Sequence, residues 1–129
     1  MHHVRLIGRI HSDLKNISDC PLQESEGAPQ ASLAINKKYR RALSGLGIGD
    51  KVVLLTWLHQ ADRTVLTTRP RNNPKAALMG VFATRSPDRP NPIGLHTAII
   101  VAITADREMK LSNLEVIDGT PVIDIKPYL

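Results

Sequence analysis

Cysteine is almost absent from this sequence, since Cys20 is the single thiol in 129 residues. One cysteine cannot form an internal disulfide, and it cannot supply the CxxC pairs of structural metal sites. The chain also lacks any apolar run of the roughly 18–20 residues that a membrane-spanning helix needs. Its first residues, Met1–Arg5, lack the apolar stretch of a secretion signal. We therefore expect a soluble cytoplasmic protein with no metal and no membrane partner.

Aromatic residues are scarce as well: the chain has one Trp, two Tyr and one Phe. Because 42% of the residues are hydrophobic, the core has to be aliphatic. Val, Ile and Leu favour pleated sheets when they alternate with polar residues. The length suits one domain. No GxGxxG motif follows a predicted strand, which argues against a Rossmann-type dinucleotide-binding unit.

Alternating apolar and polar residues predict a mainly β fold. The predicted strands cover residues 4–10, 31–35, 51–58, 64–69, 78–84, 95–104, 109–117 and 122–125. The segment 51–58 is the most apolar run of the chain, which predicts a central strand buried on both faces over most of its length. A short helix is predicted over 37–46, capped by Asn36 and ended by Gly47. The polar segment 11–30 predicts a flap. These elements indicate an all-β domain, a small rolled antiparallel sheet resembling a β-barrel, with one short helix.

The net charge of +5 is concentrated in one stretch. Residues 63–89 hold six cations and the single acid Asp88, whereas the rest of the chain is neutral. The cations are Arg63, Arg69, Arg71, Lys75, Arg85 and Arg89. A local surplus of this kind indicates a surface that faces phosphate or RNA. A solvated basic loop without a partner is the alternative.

The segment 80–95 joins two apolar strands through a loop with unusual composition. Pro87, Pro90 and Pro92 fall within six residues, and each fixes its own backbone and restricts the residue before it. A stiff loop can hold binding groups in place, and this one presents Arg85, Ser86, Asp88, Arg89 and Asn91. The alternative is a structural connector with solvated arginines.

Two further segments contain residues that could carry chemistry. Asp118–Pro121 separates two strands, and Asp-Gly there is either a plain hairpin turn or part of a site. Asp124 lies in the last apolar strand and is either outward-facing or paired with an arginine. His59 ends the segment 51–58, and it either makes a structural hydrogen bond or forms, with Trp57, the wall of a purine pocket.

Four sequence runs together resemble the TsaA-like family, also called TrmO. They are VFATRSPDRPNPIGL at 81–95, DGTPVIDIKPY at 118–128, WLHQA at 57–61 and GAP at 27–29. The resemblance extends from Ile7 to Tyr128. It implies a small β-barrel that binds S-adenosylmethionine and works as a homodimer, with cofactor sites near the subunit interface. It also implies N6-methylation of the threonylcarbamoyl-adenosine at position 37 of certain tRNAs, with the anticodon loop as the bound region.

The resemblance also implies site residues. Cofactor contacts fall on Pro29, Gln30, His59, Gln60, Arg85, Leu95, Asp118, Gly119, Thr120 and Pro121. Arg89, Asn91 and Pro92 are expected beside the transferred methyl group. Asp118–Pro121 and Leu95 would cradle the adenosine, and Arg85 would pair with a carboxylate or phosphate. His59 and Asp118 are both candidates for the base.

The sequence departs from the family pattern in three places. The early Pro-Arg-Gln motif lacks its arginine at Pro29-Gln30, and Gly47–Lys51 replaces a Phe-Ser-His element. Longer members carry a second, C-terminal domain that helps to hold tRNA, so we expect residues 1–129 to form the first domain alone. The alternative to a methyltransferase is a non-catalytic module that binds S-adenosylmethionine or RNA.

Overall fold

The strands of the protein close into a barrel in a computed structural model, which describes residues 2–13, 30–70, 73–106, 108–112 and 114–129. The strands are β1 Gly8–His11, β2 Ala31–Ile35, β3 Lys51–Trp57, β4 Thr67–Thr68, β5 Met79–Gly80, β6 Ile93–Ile103, β7 Met109–Leu111 and β8 Pro121–Pro127. Six of them form the closed barrel in the order β1-β2-β7-β6-β3-β8. Each barrel strand pairs antiparallel with its neighbours, and β4 and β5 form a separate two-stranded sheet.

The barrel interior is aliphatic, as the composition requires. Along β3 and β6, alternate residues are buried, because successive side chains of a strand point to opposite faces. The side chains with no exposed surface include Ile10, Leu33, Val52, Leu54, Ile100, Leu111, Leu114 and Val122. The predicted all-β, barrel-like fold is thus confirmed.

The prediction that the strand at 51–58 is buried on both faces is wrong. Val52, Leu54 and Thr56 are buried, but the alternate residues Val53, Leu55 and Trp57 are only partly covered. The physical reason is closure: the outer surface of a barrel strand has no second layer packed on it. Apolar residues on that outer surface therefore have to be explained by something other than the core.

The predicted helix is present but shorter and differently capped. It is a 3-10 helix over Lys37–Leu43, and its Leu43 packs into the core. Asn36 makes no side-chain cap hydrogen bond, because its side-chain amide donates to the Leu6 carbonyl at 3.0 Å. The left-handed glycine after the helix is Gly45, with φ +100°, and not the predicted Gly47.

Several predicted strands are shortened at their ends. The first begins at Gly8 and not at residue 4, and the strand predicted over 109–117 ends at Leu111. The strand predicted over 78–84 ends at Gly80, since Val81–Ala83 forms a 3-10 turn. Most of the predicted flap, residues 14–29, lies outside the described residues. Within the described ranges, no helix is long and apolar enough to span a membrane.

Candidate functional site

An open hollow of about 430 Å³ lies on the outside of the barrel. It is bounded by the end of β1, the start of β2, β7 and the turn before β8. Its lining is His11, Ser12, Asp13, Gln30, Ala31, Ser32, Lys110 and Asp118. The hollow therefore unites residues that the chain places far apart, including two of the predicted cofactor contacts, Gln30 and Asp118.

The turn at 118–121 is held against β1 by backbone hydrogen bonds. The Gly119 amide donates to the Ile10 carbonyl at 2.7 Å, and the Ile10 amide donates to the Thr120 carbonyl at 2.9 Å. The Arg9 guanidinium also donates to the Gly119 carbonyl at 3.0 Å. Gly119 has φ +84°, a conformation that glycine adopts without steric cost. The turn thus has one fixed position beside the hollow.

The Asp118 side chain points from this turn to the end of β1. Its Oδ1 accepts a hydrogen bond from the Ser12 amide at 3.0 Å and lies 3.9 Å from Nδ1 of His11. The Ser12 hydroxyl donates to the Val116 carbonyl at 2.7 Å. These contacts fix the carboxylate at one wall of the hollow, where it contributes negative charge.

The proline-rich loop 84–92 is braced by its own arginine. The Arg89 guanidinium donates to the Thr84 carbonyl at 3.0 Å and to the Ser86 carbonyl at 3.1 Å. It also lies 6.0 Å from the centre of the Phe82 ring. Arg89 therefore stabilises the conformation of the loop through hydrogen bonds to the loop's own backbone.

The turn that follows β3 braces the same loop from the other side. Arg63 donates to the Pro90 carbonyl at 2.7 Å and to Oδ1 of Asn91 at 3.3 Å, and the Asp62 amide donates to Oδ1 of Asp88 at 2.8 Å. Hydrogen bonds from the side chain and backbone of Thr64 lower the pKa of Asp62. These hydrogen bonds favour the charged form of the carboxylate, which accepts from both the backbone and the hydroxyl of Thr64 in this turn.

Among the other predicted cofactor contacts, Thr120 and Pro121 are buried and the rest of the described ones are partly or fully exposed, and none of them lines the hollow of one chain. His59 and Gln60 lie in the turn after β3, Arg85 lies in the proline-rich loop, and Leu95 points outward from β6 with 51% of its surface exposed. Pro29 lies outside the described residues. Within one subunit, therefore, the lining contains Gln30 and Asp118. It does not contain His59, Gln60, Arg85 or Leu95.

The structure decides the position of Asp124, which the sequence left open, and shows what the Trp57 ring contacts. Asp124 is partly exposed and pairs with Lys126 at 3.1 Å rather than with an arginine. The Trp57 ring is covered by the Arg63 guanidinium, whose carbon lies 5.1 Å from the ring centre. Trp57 thus helps to position the arginine that braces the loop.

A buried polar pair behind the loop was missed by the sequence analysis. Nε2 of His96 and Oγ1 of Thr56 lie 2.9 Å apart inside the barrel, and Gly94 packs directly against both side chains. The signal was available, since residues 94, 96, 98 and 100 share one face of β6 and the last two are apolar. Lys110 was missed because nothing in its local sequence distinguishes it. Over the described ranges, no group of three His, Cys, Asp or Glu side chains could hold a metal ion.

Comparison with known proteins finds relatives whose names describe the same ligand. A Methanothermobacter thermautotrophicus protein named "Probable S-adenosyl-L-methionine-binding protein" is 38% identical over 125 residues, covering 97% of this chain and 88% of its own. An Archaeoglobus fulgidus protein named "S-adenosyl-L-methionine-binding protein" is 36% identical over 122 residues, covering 95% and 86%.

Solved structures and a family model match over nearly the whole chain. The crystal structure of TrmO from Pseudomonas aeruginosa is 34% identical, with a TM-score of 0.77. The match covers all of this chain, which spans 56% of that protein's length. The model of the tRNA-methyltransferase O N-terminal domain matches residues 9–129. By sequence and by fold, the chain belongs to the TrmO N-terminal domain family.

Proposed function

We propose that this chain binds S-adenosylmethionine and transfers its methyl group to N6 of threonylcarbamoyl-adenosine at position 37 of tRNA. The observation that carries the proposal is the hollow that contains both Gln30 and Asp118. The family resemblance assigns these two residues to one cofactor site, although they belong to distant segments. The names of the relatives, which describe S-adenosylmethionine-binding proteins, support the same ligand.

The hollow fits this cofactor in size and in charge. Its volume of about 430 Å³ falls in the range of small-molecule sites, roughly 300–1,000 Å³. Its walls offer the carboxylates of Asp13 and Asp118, the Lys110 ammonium and the hydroxyl of Ser32. S-adenosylmethionine carries a sulfonium, an ammonium and a carboxylate, so it needs both negatively and positively charged partners.

The chain's own residues would mainly bind the cofactor and orient the acceptor nitrogen towards it. When bound, the cofactor supplies an activated methyl group for in-line displacement. Holding the acceptor nitrogen in near-attack geometry can contribute roughly 7–11 kcal/mol, and the stiff loop bearing Arg89 and Asn91 suits that task. His59 and Asp118 remain the candidates to accept the N6 proton.

The tRNA would contact the basic stretch at 63–89. Its cations Lys75 and Arg85 are exposed, and the Phe82 ring in the same stretch is 81% exposed. Anticodon-loop bases can unstack and lie on aromatic side chains, while arginines contact phosphates. A tRNA substrate also fits the expected cytoplasmic location.

A homodimer would complete the site. Partly exposed apolar residues pair across the outer faces of β3 and β6, Leu55 with Leu95 and Trp57 with Ile93. Ile93, Leu95 and Ile99 are 44%, 51% and 42% exposed. We call this surface the β3–β6 outer face and propose that a second copy covers it. Leu95 would then lie at the interface, as the family resemblance implies for a cofactor contact.

A non-catalytic module that binds S-adenosylmethionine is the second candidate. One observation favours it: the relatives are named for binding. Methyl transfer to tRNA distinguishes the two candidates, because only the methyltransferase performs it.

The test measures binding and transfer separately. Calorimetry with S-adenosylmethionine should give a saturable heat. Incubation with methyl-labelled cofactor and tRNA carrying threonylcarbamoyl-adenosine should then place label on that nucleoside, whereas tRNA with plain adenosine at position 37 should stay unlabelled. Binding without label on either tRNA would select the non-catalytic module, and absence of binding would reject both candidates.

A further inference from the structure

Three outward-facing residues line up across neighbouring strands at the floor of the hollow. His11 on β1 pairs with Ser32 on β2, and Ser32 pairs with Lys110 on β7. All three line the hollow. Because paired strands lie about 4.8 Å apart, this row spans about 10 Å from His11 to Lys110.

The charged side chains around this row are acidic at its β1 end and basic at its β7 end. At its β1 end, His11 lies 3.9 Å from the Asp118 carboxylate, and Asp13 adds a second acid to the lining. At its β7 end, Lys110 is the one lysine or arginine among the described residues that line the hollow. A ligand bound along the row would therefore place its anionic group at β7 and its cationic groups towards β1.

The position of Lys110 follows from the strand that carries it. Met109 and Leu111 are buried in the barrel, so alternation directs Lys110 to the outer surface. Towards the part of the chain that the structure describes, the Lys110 side chain makes no ion pair and no hydrogen bond. Lys110 lines the hollow, so its ammonium can reach a ligand there, and the Ser32 hydroxyl beside it can donate a second hydrogen bond to the same anion.

We propose that Lys110, assisted by Ser32, binds the carboxylate of the methionine moiety of S-adenosylmethionine. This inference rests on the proposed function, because it presupposes that cofactor. Among the described lining residues, two carboxylates and one lysine match the ligand's two cationic groups and one carboxylate. Arg85, for which the family resemblance implies a carboxylate or a phosphate as partner, is then left for an RNA phosphate.

The experiment compares two ligands by calorimetry. S-adenosylmethionine has the amino-acid end, whereas 5′-methylthioadenosine keeps the adenosine and the sulfur but lacks that end. Lys110→Met should weaken S-adenosylmethionine binding about 10- to 100-fold, the range of a hydrogen bond between charged groups. It should leave methylthioadenosine binding within about twofold, and Lys110→Arg should restore most of the loss.

Lys126→Met is the matched control, because it removes the same charge from an exposed lysine that pairs with Asp124 on β8. It should change neither affinity, and melting temperatures should show all variants folded. If Lys110→Met weakens both ligands equally, or neither, the role of Lys110 is overturned while the proposed function stands. If the unmodified chain binds no S-adenosylmethionine, the proposed function itself fails.

Discussion

Gly94 lies where the barrel interior leaves no room for a side chain. A Cβ at this position would meet Oγ1 of Thr56, and would lie 2.6 Å from Nε2 of His96 and 3.1 Å from Cδ2 of Leu58. The hydrogen-bonded pair of Thr56 and His96 is buried, so it cannot move aside without losing its contact. At the scale of single residues, this cluster forms the inner support of the strand that leaves the proline-rich loop.

Gly94→Ala should therefore destabilise the fold. Overpacking a tight interior typically lowers the free energy of unfolding by about 1–3 kcal/mol. We therefore expect the urea midpoint of Gly94→Ala to be lower than that of the unmodified chain. Gly47→Ala is the control, because nothing lies within 4 Å of a Cβ added there. Equal midpoints for Gly94→Ala and the unmodified chain would show that the barrel relaxes around the methyl group.

Arg85 is the exposed arginine of the proline-rich loop, and we assign it to RNA. Arg85→Ala should weaken tRNA binding and reduce the dependence of log affinity on log salt by about one unit, as expected for one lost phosphate contact. Its affinity for S-adenosylmethionine should not change. Arg41→Ala, on the exposed side of the 3-10 helix, should have a smaller effect on tRNA. A loss of cofactor affinity in Arg85→Ala would instead assign the carboxylate to Arg85.

Among the elements, the short β4–β5 sheet and the turn after it stand apart from the barrel. Leu66, Leu78 and Phe82 are 68%, 58% and 81% exposed, and the surrounding stretch carries the charge surplus. Exposed apolar groups among cations are typical of single-stranded nucleic acid sites, where bases stack on aromatic rings.

Phe82→Ser tests this element. Stacking of one base is worth about 1–3 kcal/mol, which corresponds to a loss of tRNA affinity of roughly 5- to 150-fold. Phe82→Trp should retain affinity because it keeps the π-face, and Leu66→Ser removes a neighbouring exposed apolar side chain that cannot stack. Filter binding at several salt concentrations gives the comparison. Equal losses for Phe82→Ser and Leu66→Ser would exclude a specific stacking role.

At the scale of the whole molecule, the closed barrel leaves partly exposed apolar residues on the outside of β3 and β6. The β3–β6 outer face cannot serve the core, because the core lies inside the barrel. Contiguous apolar surface on a small protein marks an interaction site, and a symmetric dimer would bury this face against itself.

Ile99→Glu should dissociate that dimer. Ile99 is on the β3–β6 outer face but is not among the predicted cofactor contacts, and a charge at a self-paired interface is repelled by its own copy. Analytical ultracentrifugation at micromolar concentration should show a monomer, with circular dichroism unchanged. Leu129→Glu, at an exposed chain end, is the control. A dimer that survives Ile99→Glu would place the interface on another face.

The degree of agreement between prediction and structure differs from one segment to another. Residues 31–35 were predicted as a strand with the observed bounds, because small or apolar and polar residues alternate there. The helix cap at Asn36 was wrong, since the side chain binds Leu6, a partner thirty residues away that no local rule considers. The site residues Gln30 and Asp118 came from the family resemblance, whereas Lys110 required the register between β2 and β7.

The sequence by itself determined the fold class, the proline-stiffened loop and the concentration of positive charge, because each depends on residues close together in the chain. The tertiary structure decided which strands are neighbours, and so which side chains share the hollow. It also decided that the outer face of β3 is apolar without being core. Both depend on pairing between distant segments, which local periodicity does not encode.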